Sequence, residues 1–197
     1  MAMDEIVERL ASDKDELNRW IGVYIGVLAV LLAVCGMGGG NASKDATRAN
    51  IEAANTWSFF QAKNIRRSAI QMEAEALELH VAAQPDLPAV AREAYQAKIK
   101  AYRDTAAQLT SDPVKKEGLD ELFVKGKALE AERDVALRKD PYFDWSQALL
   151  QIAVVLASVS LITGSMLLLG MSGVLGGLGT LMMLNGFTLA VSIPGLG

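Results

Sequence analysis

The sequence has one histidine, one cysteine and five prolines in 197 residues, and it contains two long stretches without a single charged side chain. Each shortage excludes something. Structural and catalytic zinc sites draw on several histidines and thiolates, and His80 and Cys35 stand alone in their classes. A di-iron helical site wants Glu-x-x-His, but position 77 is Leu, so Glu78 and His80 cannot form that motif. His80 is read as a helix-surface residue. One cysteine allows no disulfide within the chain, which leaves the redox compartment unreadable. No phosphate loop, Ser-x-x-Lys or Gly-x-Ser-x-Gly occurs, and the glycines from Gly36 to Gly40 lack the lysine that a phosphate loop requires. The expectation is therefore a protein with no enzymatic activity, no cofactor and no metal.

The charges are segregated. Nine lie between Met1 and Arg19, none between Trp20 and Ser43, the remaining 16 basic and 17 acidic between Lys44 and Asp144, and none beyond. Mean hydropathy is +0.23 although 21% of residues are charged. A bilayer core of about 30 Å takes about 20 apolar residues in a helix. Trp20 to Met37 supplies one span. Trp145 to Gly197 is long enough for two more, with Gly170 to Gly173 as the turn between them. The first span is read as retained: the segment before it is net acidic, unlike a secretory leader, and Val34 is poor in a lipoprotein cleavage box ending at Cys35. No span carries a charge, which argues against an ion-coupled transporter. A net charge of −4 argues against nucleic acid as a partner.

The expected organisation is an amphipathic tail (1–19), a first transmembrane helix (20–40), a helical insert (41–144), a second transmembrane helix (145–170), and a glycine-rich third with the C-terminus (171–197). Ser12 to Asp15 has the form of a capping box, and Asn41 or Ser43 is placed to cap a new helix after the glycines. Residues 44–83 hold neither proline nor glycine and read as one helix. Its expected packing face runs through Ala54, Ser58, Gln61, Ile65, Ala69, Met72, Ala76 and Leu79, with Trp57 and Phe60 beside it. Pro85 and Pro88 force a turn. A second helix runs from Pro88 to about Leu109. Asp112-Pro113 starts a third that ends near Lys139, and Asp140-Pro141 repeats that signal at the next span. The fold class is thus an all-α membrane protein: three transmembrane helices with a long antiparallel helical-hairpin, coiled-coil-like insert between the first and second.

Candidate functional residues are contacts rather than catalysts. Gly22 and Gly26 form one GxxxG and Gly173 and Gly177 another, the pattern that lets helices approach closely in lipid. Thr180 and Asn185 are polar positions of the third span, where a polar side chain is costly unless it bonds across helices or meets water. Trp57, Phe60, Ile65 and Met72 are the expected packing residues of the insert. A lone hairpin has little core, so copies of itself are the expected partner, with the bilayer. The acidic groups Glu73, Glu75, Glu78 and Glu130, Glu132, Asp134 read as solvated faces paired with Lys125, Lys127 and Arg133.

The run Trp57-Ser58-Phe59-Phe60-Gln61-Ala62-Lys63 soon after a first span, with Tyr142-Phe143-Asp144-Trp145 leading into Gln151 to Val159, resembles an uncharacterised family of bacterial inner-membrane proteins catalogued as a domain of unknown function. The resemblance covers about Arg19 to Leu169. It implies a bacterial inner-membrane location and three helical spans around a helical insert, and it carries no activity, cofactor or site residue. Basic residues near the spans favour a cytoplasmic insert over an exported one. The expected function is a non-catalytic homo-oligomeric scaffold or stalk-like assembly. The alternative is an oligomeric channel lined by the glycine-rich third span.

Overall fold

The computed structural model describes the backbone from Ala2 to Ile193 and the side chains from Asp15 to Ile193. The expected packing of the amphipathic tail's side chains up to Lys14 lies outside the described residues. The described chain is all α: α1 (Ala2–Ala83), α2 (Ala89–Thr110), α3 (Leu119–Thr163) and α4 (Met166–Thr188). Three of the four, α1, α3 and α4, are long and apolar enough to cross a membrane. The chain divides into two compact units, one made of the chain up to Ala46 and from Asp134 onward, the other Thr47–Arg133.

Five expected boundaries move. The capping box at Ser12 and the cap at Asn41 or Ser43 start no helix, because α1 continues through both, and through Gly36 to Gly40. Glycine weakens a solvated helix by up to about 1 kcal/mol but keeps both backbone bonding groups. Here it admits a neighbour: a Cβ on Gly39 would stand 3.1 Å from Phe143 Cβ. Asp112-Pro113 starts a single turn rather than a helix. The Lys116 amide donates to the Asp112 carbonyl at 2.7 Å, Lys116 takes φ 56°, and α3 begins at Leu119. The helix then continues through Pro141. Proline there offers no N–H to the carbonyl of Leu137 and its ring crowds that carbonyl, while buried Tyr142 and Phe143 anchor the following turn. Finally, the break between the last two helices falls at Gly164, at φ +71°, not at Gly170 to Gly173, which lie inside α4. Positive φ is nearly free for glycine and costly for other residues.

In the first unit, α1, α3 and α4 share a core of Leu28, Cys35, Ala42, Phe143, Leu150, Ala153 and Met183. Its close contacts rest on small residues. A Cβ on Gly176 would meet Tyr24 Oη at 2.9 Å and Leu28 Cδ2 at 3.0 Å, and one on Gly179 would meet Leu150 Cγ at 3.0 Å. Buried serines fasten the same faces. Ser146 donates to the Gly179 carbonyl at 2.7 Å, Ser172 to the Ala153 carbonyl at 2.7 Å, and Ser160 to the Ser165 carbonyl at 2.8 Å. Cys35 Sγ donates to the Phe143 carbonyl at 3.3 Å. Each hydroxyl is thereby satisfied without water, as burial demands.

In the second unit, residues of α1 in rising order meet residues of α3 and then α2 in falling order. Arg48 pairs with Glu132 at 2.7 Å, Trp57 Nε1 donates to Glu130 at 2.9 Å, Lys63 bonds Glu117, and Glu78 pairs with Arg103 at 2.7 Å. The buried residues of α1 are Ala49, Ala53, Thr56 and Ala74. They fall at the three- and four-residue steps of a heptad, matched on α3 by Leu119, Leu122, Gly126 and Leu129. Trp57 and Phe60 pack edge to face at 5.7 Å, and Trp57 meets Phe123 likewise at 5.7 Å. Ile65 and Met72 are different: they are 70% and 65% exposed and do not pack within the chain. The expected face through Ala54, Ile65, Met72 and Leu79 is the opposite side of α1 from the seam. Large apolar residues marked it in the sequence, whereas alanines make the seam.

The approach at Gly126 is testable, because a Cβ there would lie 2.8 Å from Trp57 ring atoms. Gly126→Ala is expected to destabilise the chain by about 1–3 kcal/mol through overpacking. In a Trp57→Phe background the same change should cost less, since the smaller ring relieves the overlap. Thermal unfolding followed by near-ultraviolet circular dichroism measures both.

Candidate interaction surface

Several charged side chains of the second unit form ion pairs, Arg48–Glu132, Lys63–Glu117, Glu78–Arg103 and Lys127–Glu130 among them. Glu130 illustrates this. Lys127 Nζ donates to it at 2.8 Å and Trp57 Nε1 at 2.9 Å. The lysine bond foremost, then the indole, holds its carboxyl below the usual range. Glu121 closes the α2–α3 connection by accepting from Ser111 Oγ at 2.8 Å and from the Asp112 amide at 3.2 Å. The serine bond is the main cause of its lowered pKa. Asp140 moves the other way, pushed up by burial and by neighbouring Asp144.

Several clefts open beside α2. One, of about 400 Å³, is lined by Gln71, Glu75, Glu78, Tyr102 and Arg103. Another, of about 510 Å³, is lined by Glu78, Gln96, Lys100, Arg103 and Asp104. A third, of about 450 Å³, is lined by Phe59, Lys63, Arg66, Gln108 and Lys115. Two ion pairs lie among their lining residues, Glu78–Arg103 and Lys63–Glu117. Among the described residues no group of His, Cys, Asp and Glu is placed to hold a metal ion. His80 is exposed, its ring 5.3 Å from that of Tyr95.

The glycines divide into two sets by what surrounds them. Gly38, Gly39, Gly118, Gly126, Gly176, Gly179 and Gly186 are pressed by other atoms of their own chain. Gly22, Gly26, Gly173 and Gly177, the two GxxxG pairs, have nothing within 4 Å of a Cβ, and the same holds for Gly36, Gly40, Gly164 and Gly170. Their faces are exposed. Thr180 bonds back to the Gly176 carbonyl at 2.8 Å in its own helix. Asn185 does not reach across to another helix. Its amide donates to the Val191 carbonyl at 2.8 Å and accepts from the Val191 amide at 2.9 Å. One of its two N–H donors and one of its two acceptor sites are thus spent on the chain's own backbone. Trp57 and Phe60 sit together, while Ile65 and Met72 lie on the exposed face.

Sequence reasoning missed Gly38, Gly126 and the serines Ser146, Ser160 and Ser172. The signal for them is the seven-residue step of small residues at Cys35, Ala42 and Ala49, a weaker mark than a run of leucines.

The Glu121 closure predicts a pH dependence. Its folded pKa lies below the unfolded value of about 4.3, so its contribution is complete above that value and is lost as pH falls through the folded one. Glu121→Gln should lower the melting temperature at neutral pH and flatten its fall on acidification, read from melting curves across roughly pH 3–7.

No curated protein and no solved structure matches the chain. Residues 17–189 match a family described as a domain of unknown function, DUF4337. That match takes in all four helices except the first turns of α1, and by it the chain belongs to the DUF4337 family.

Proposed function

We propose that the chain is a non-catalytic, homo-oligomeric multi-pass membrane protein that serves as a scaffold or stalk-like assembly. The observation that carries this reading is the second set of glycines. Two GxxxG pairs lie on helices apolar enough to span a bilayer, and their faces are open to a neighbour. Lipid chains are as apolar as leucine, so association between spanning helices depends on close backbone packing, which glycine permits. The insert is inferred to be a helical hairpin, its outgoing arm in α1 and its return split between α2 and α3. The pairing order from Arg48–Glu132 to Glu78–Arg103 supports that inference. The bacterial inner membrane, with the insert on the cytoplasmic side, is the location proposed, on the distribution of basic residues.

A channel lined by α4 is the weaker reading, since Thr180 and Asn185 spend hydrogen bonds inside the chain.

The mass of the detergent-extracted protein, measured by light scattering, tests the proposal. A whole multiple of 21.1 kDa above one is expected. Gly22→Leu with Gly26→Leu, or Gly173→Leu with Gly177→Leu, should reduce it while leaving helix content unchanged, because each new side chain enters open space. A monomeric natural protein would sink the proposal.

A further inference from the structure

The outward face of α1 in the second unit carries a second heptad. Ile65, Ala69, Met72, Ala76, Leu79 and Ala83 follow one another at steps of four and three residues, and all are exposed. Ile65, Met72 and Leu79 are 70%, 65% and 71% exposed, so a straight apolar stripe lies open on a helix already packed along its other side. A 3.5-residue period has no use on a solvated surface, but it keeps a stripe facing a partner helix along its whole length.

We propose that this stripe is a coiled-coil seam that binds the same stripe of a second copy of the chain, with the two α1 helices parallel. The inference rests on the homo-oligomeric membrane reading above and names the surface responsible. The pattern suits itself. In a parallel pair in register, alanine layers at 69, 76 and 83 alternate with large layers at 65, 72 and 79. The alanines bring the axes close and the large side chains fill the space between. A partner must offer small residues in the same layers, and this chain does.

The flanks set no like charges against each other. Parallel pairing sets each flanking residue against the one five positions on in its partner. Gln61 then faces the second copy's Arg66, Ser68 its Glu73 and Glu75 its His80, so a carboxylate meets an imidazole and no like charges meet. Two copies inserted the same way round in one bilayer run their α1 helices in the same direction, which fixes the parallel sense.

Disulfide trapping in membranes tests this. Cys35 is fully buried, so the natural chain serves as the unreactive control. Ile65→Cys, Met72→Cys and Leu79→Cys add one exposed thiol each, and Ala97→Cys on α2 gives an exposed position away from the stripe. A disulfide needs Cβ atoms about 3.5–4.5 Å apart, so mild oxidation should give roughly five-fold more dimer at each stripe position than at Ala97→Cys. Equal yields at all four, in a protein whose extracted mass is oligomeric, would overturn the stripe as the seam and leave the oligomer standing. A monomeric mass would overturn both readings. Trapping only in the Ala69→Cys/Met72→Cys double variant would show antiparallel pairing and overturn the parallel seam. Met72→Glu, which places a carboxylate at an exposed position of the single chain, should abolish trapping at position 65 in the double variant with Ile65→Cys and leave helix content unchanged.

Discussion

The structure depends on α1 presenting a small or slender side chain to its neighbours at every seventh position. Ile21, Leu28, Cys35, Ala42, Ala49 and Thr56 are all buried. An ideal helix turns once in 3.6 residues, so a strict seven-residue step drifts by about 20° per repeat unless helices wind gently around each other. Close winding needs small residues, and from Cys35 onward that series supplies them. The large rings then occupy the remaining space: Phe143 against Gly38 and Gly39 in one unit, Trp57 against Gly126 in the other. Close approach also brings hydroxyls within reach of neighbouring carbonyls, as Ser146 and Ser172 show. Seam, aromatic sockets and serine bonds follow from one requirement on side-chain size.

Glycine serves opposite ends in this chain. Where another side chain presses on it, as on Gly176, Gly179 and Gly186, it is part of the packed interior and any side chain would force a shift. Where nothing approaches, as at Gly22, Gly26, Gly173 and Gly177, the missing side chain leaves a shallow groove on the outside of an apolar helix. The two sets interleave on α4, where Gly176 faces inward and Gly177 outward. A sequence pattern such as GxxxG records the spacing but not the side. The helix carrying it must be placed before its glycines can be assigned to the fold or to a neighbour.

The helical class, the three apolar helices and the extent of α2 were legible because charge segregation and hydropathy are properties of whole segments. Boundaries were less so. Ser12, Asn41, Pro113 and Pro141 each carry a local signal for a helix end, yet α1 and α3 run through three of them, since the surrounding helix outweighs a single residue's preference. Gly164 was passed over for the more conspicuous Gly170 and Gly173, although only it takes positive φ. The inner face of the second unit was misplaced by reading large apolar residues as core. Alanine seams bury less surface per residue, so hydropathy ranks them below an exposed Ile65 or Leu79. In the candidate surface, the GxxxG pairs were legible as motifs, while the double engagement of Asn185 depends on a return of the chain that spacing does not reveal.

That return gives the last helix an unusual end. The final carbonyls of a helix ordinarily look to water for donors. After α4, Leu189 takes the left-handed conformation and its amide reaches the Asn185 carbonyl at 2.7 Å. Asn185 takes both backbone groups of Val191, and the Tyr142 hydroxyl donates to the Val191 carbonyl at 3.2 Å and accepts from the Ile193 amide at 3.0 Å. Asn185 and Tyr142 thus tie the segment that follows α4 to α4 itself and to α3. A change at Asn185 would release that segment's side-chain tie to α4, and a change at Tyr142 its tie to α3.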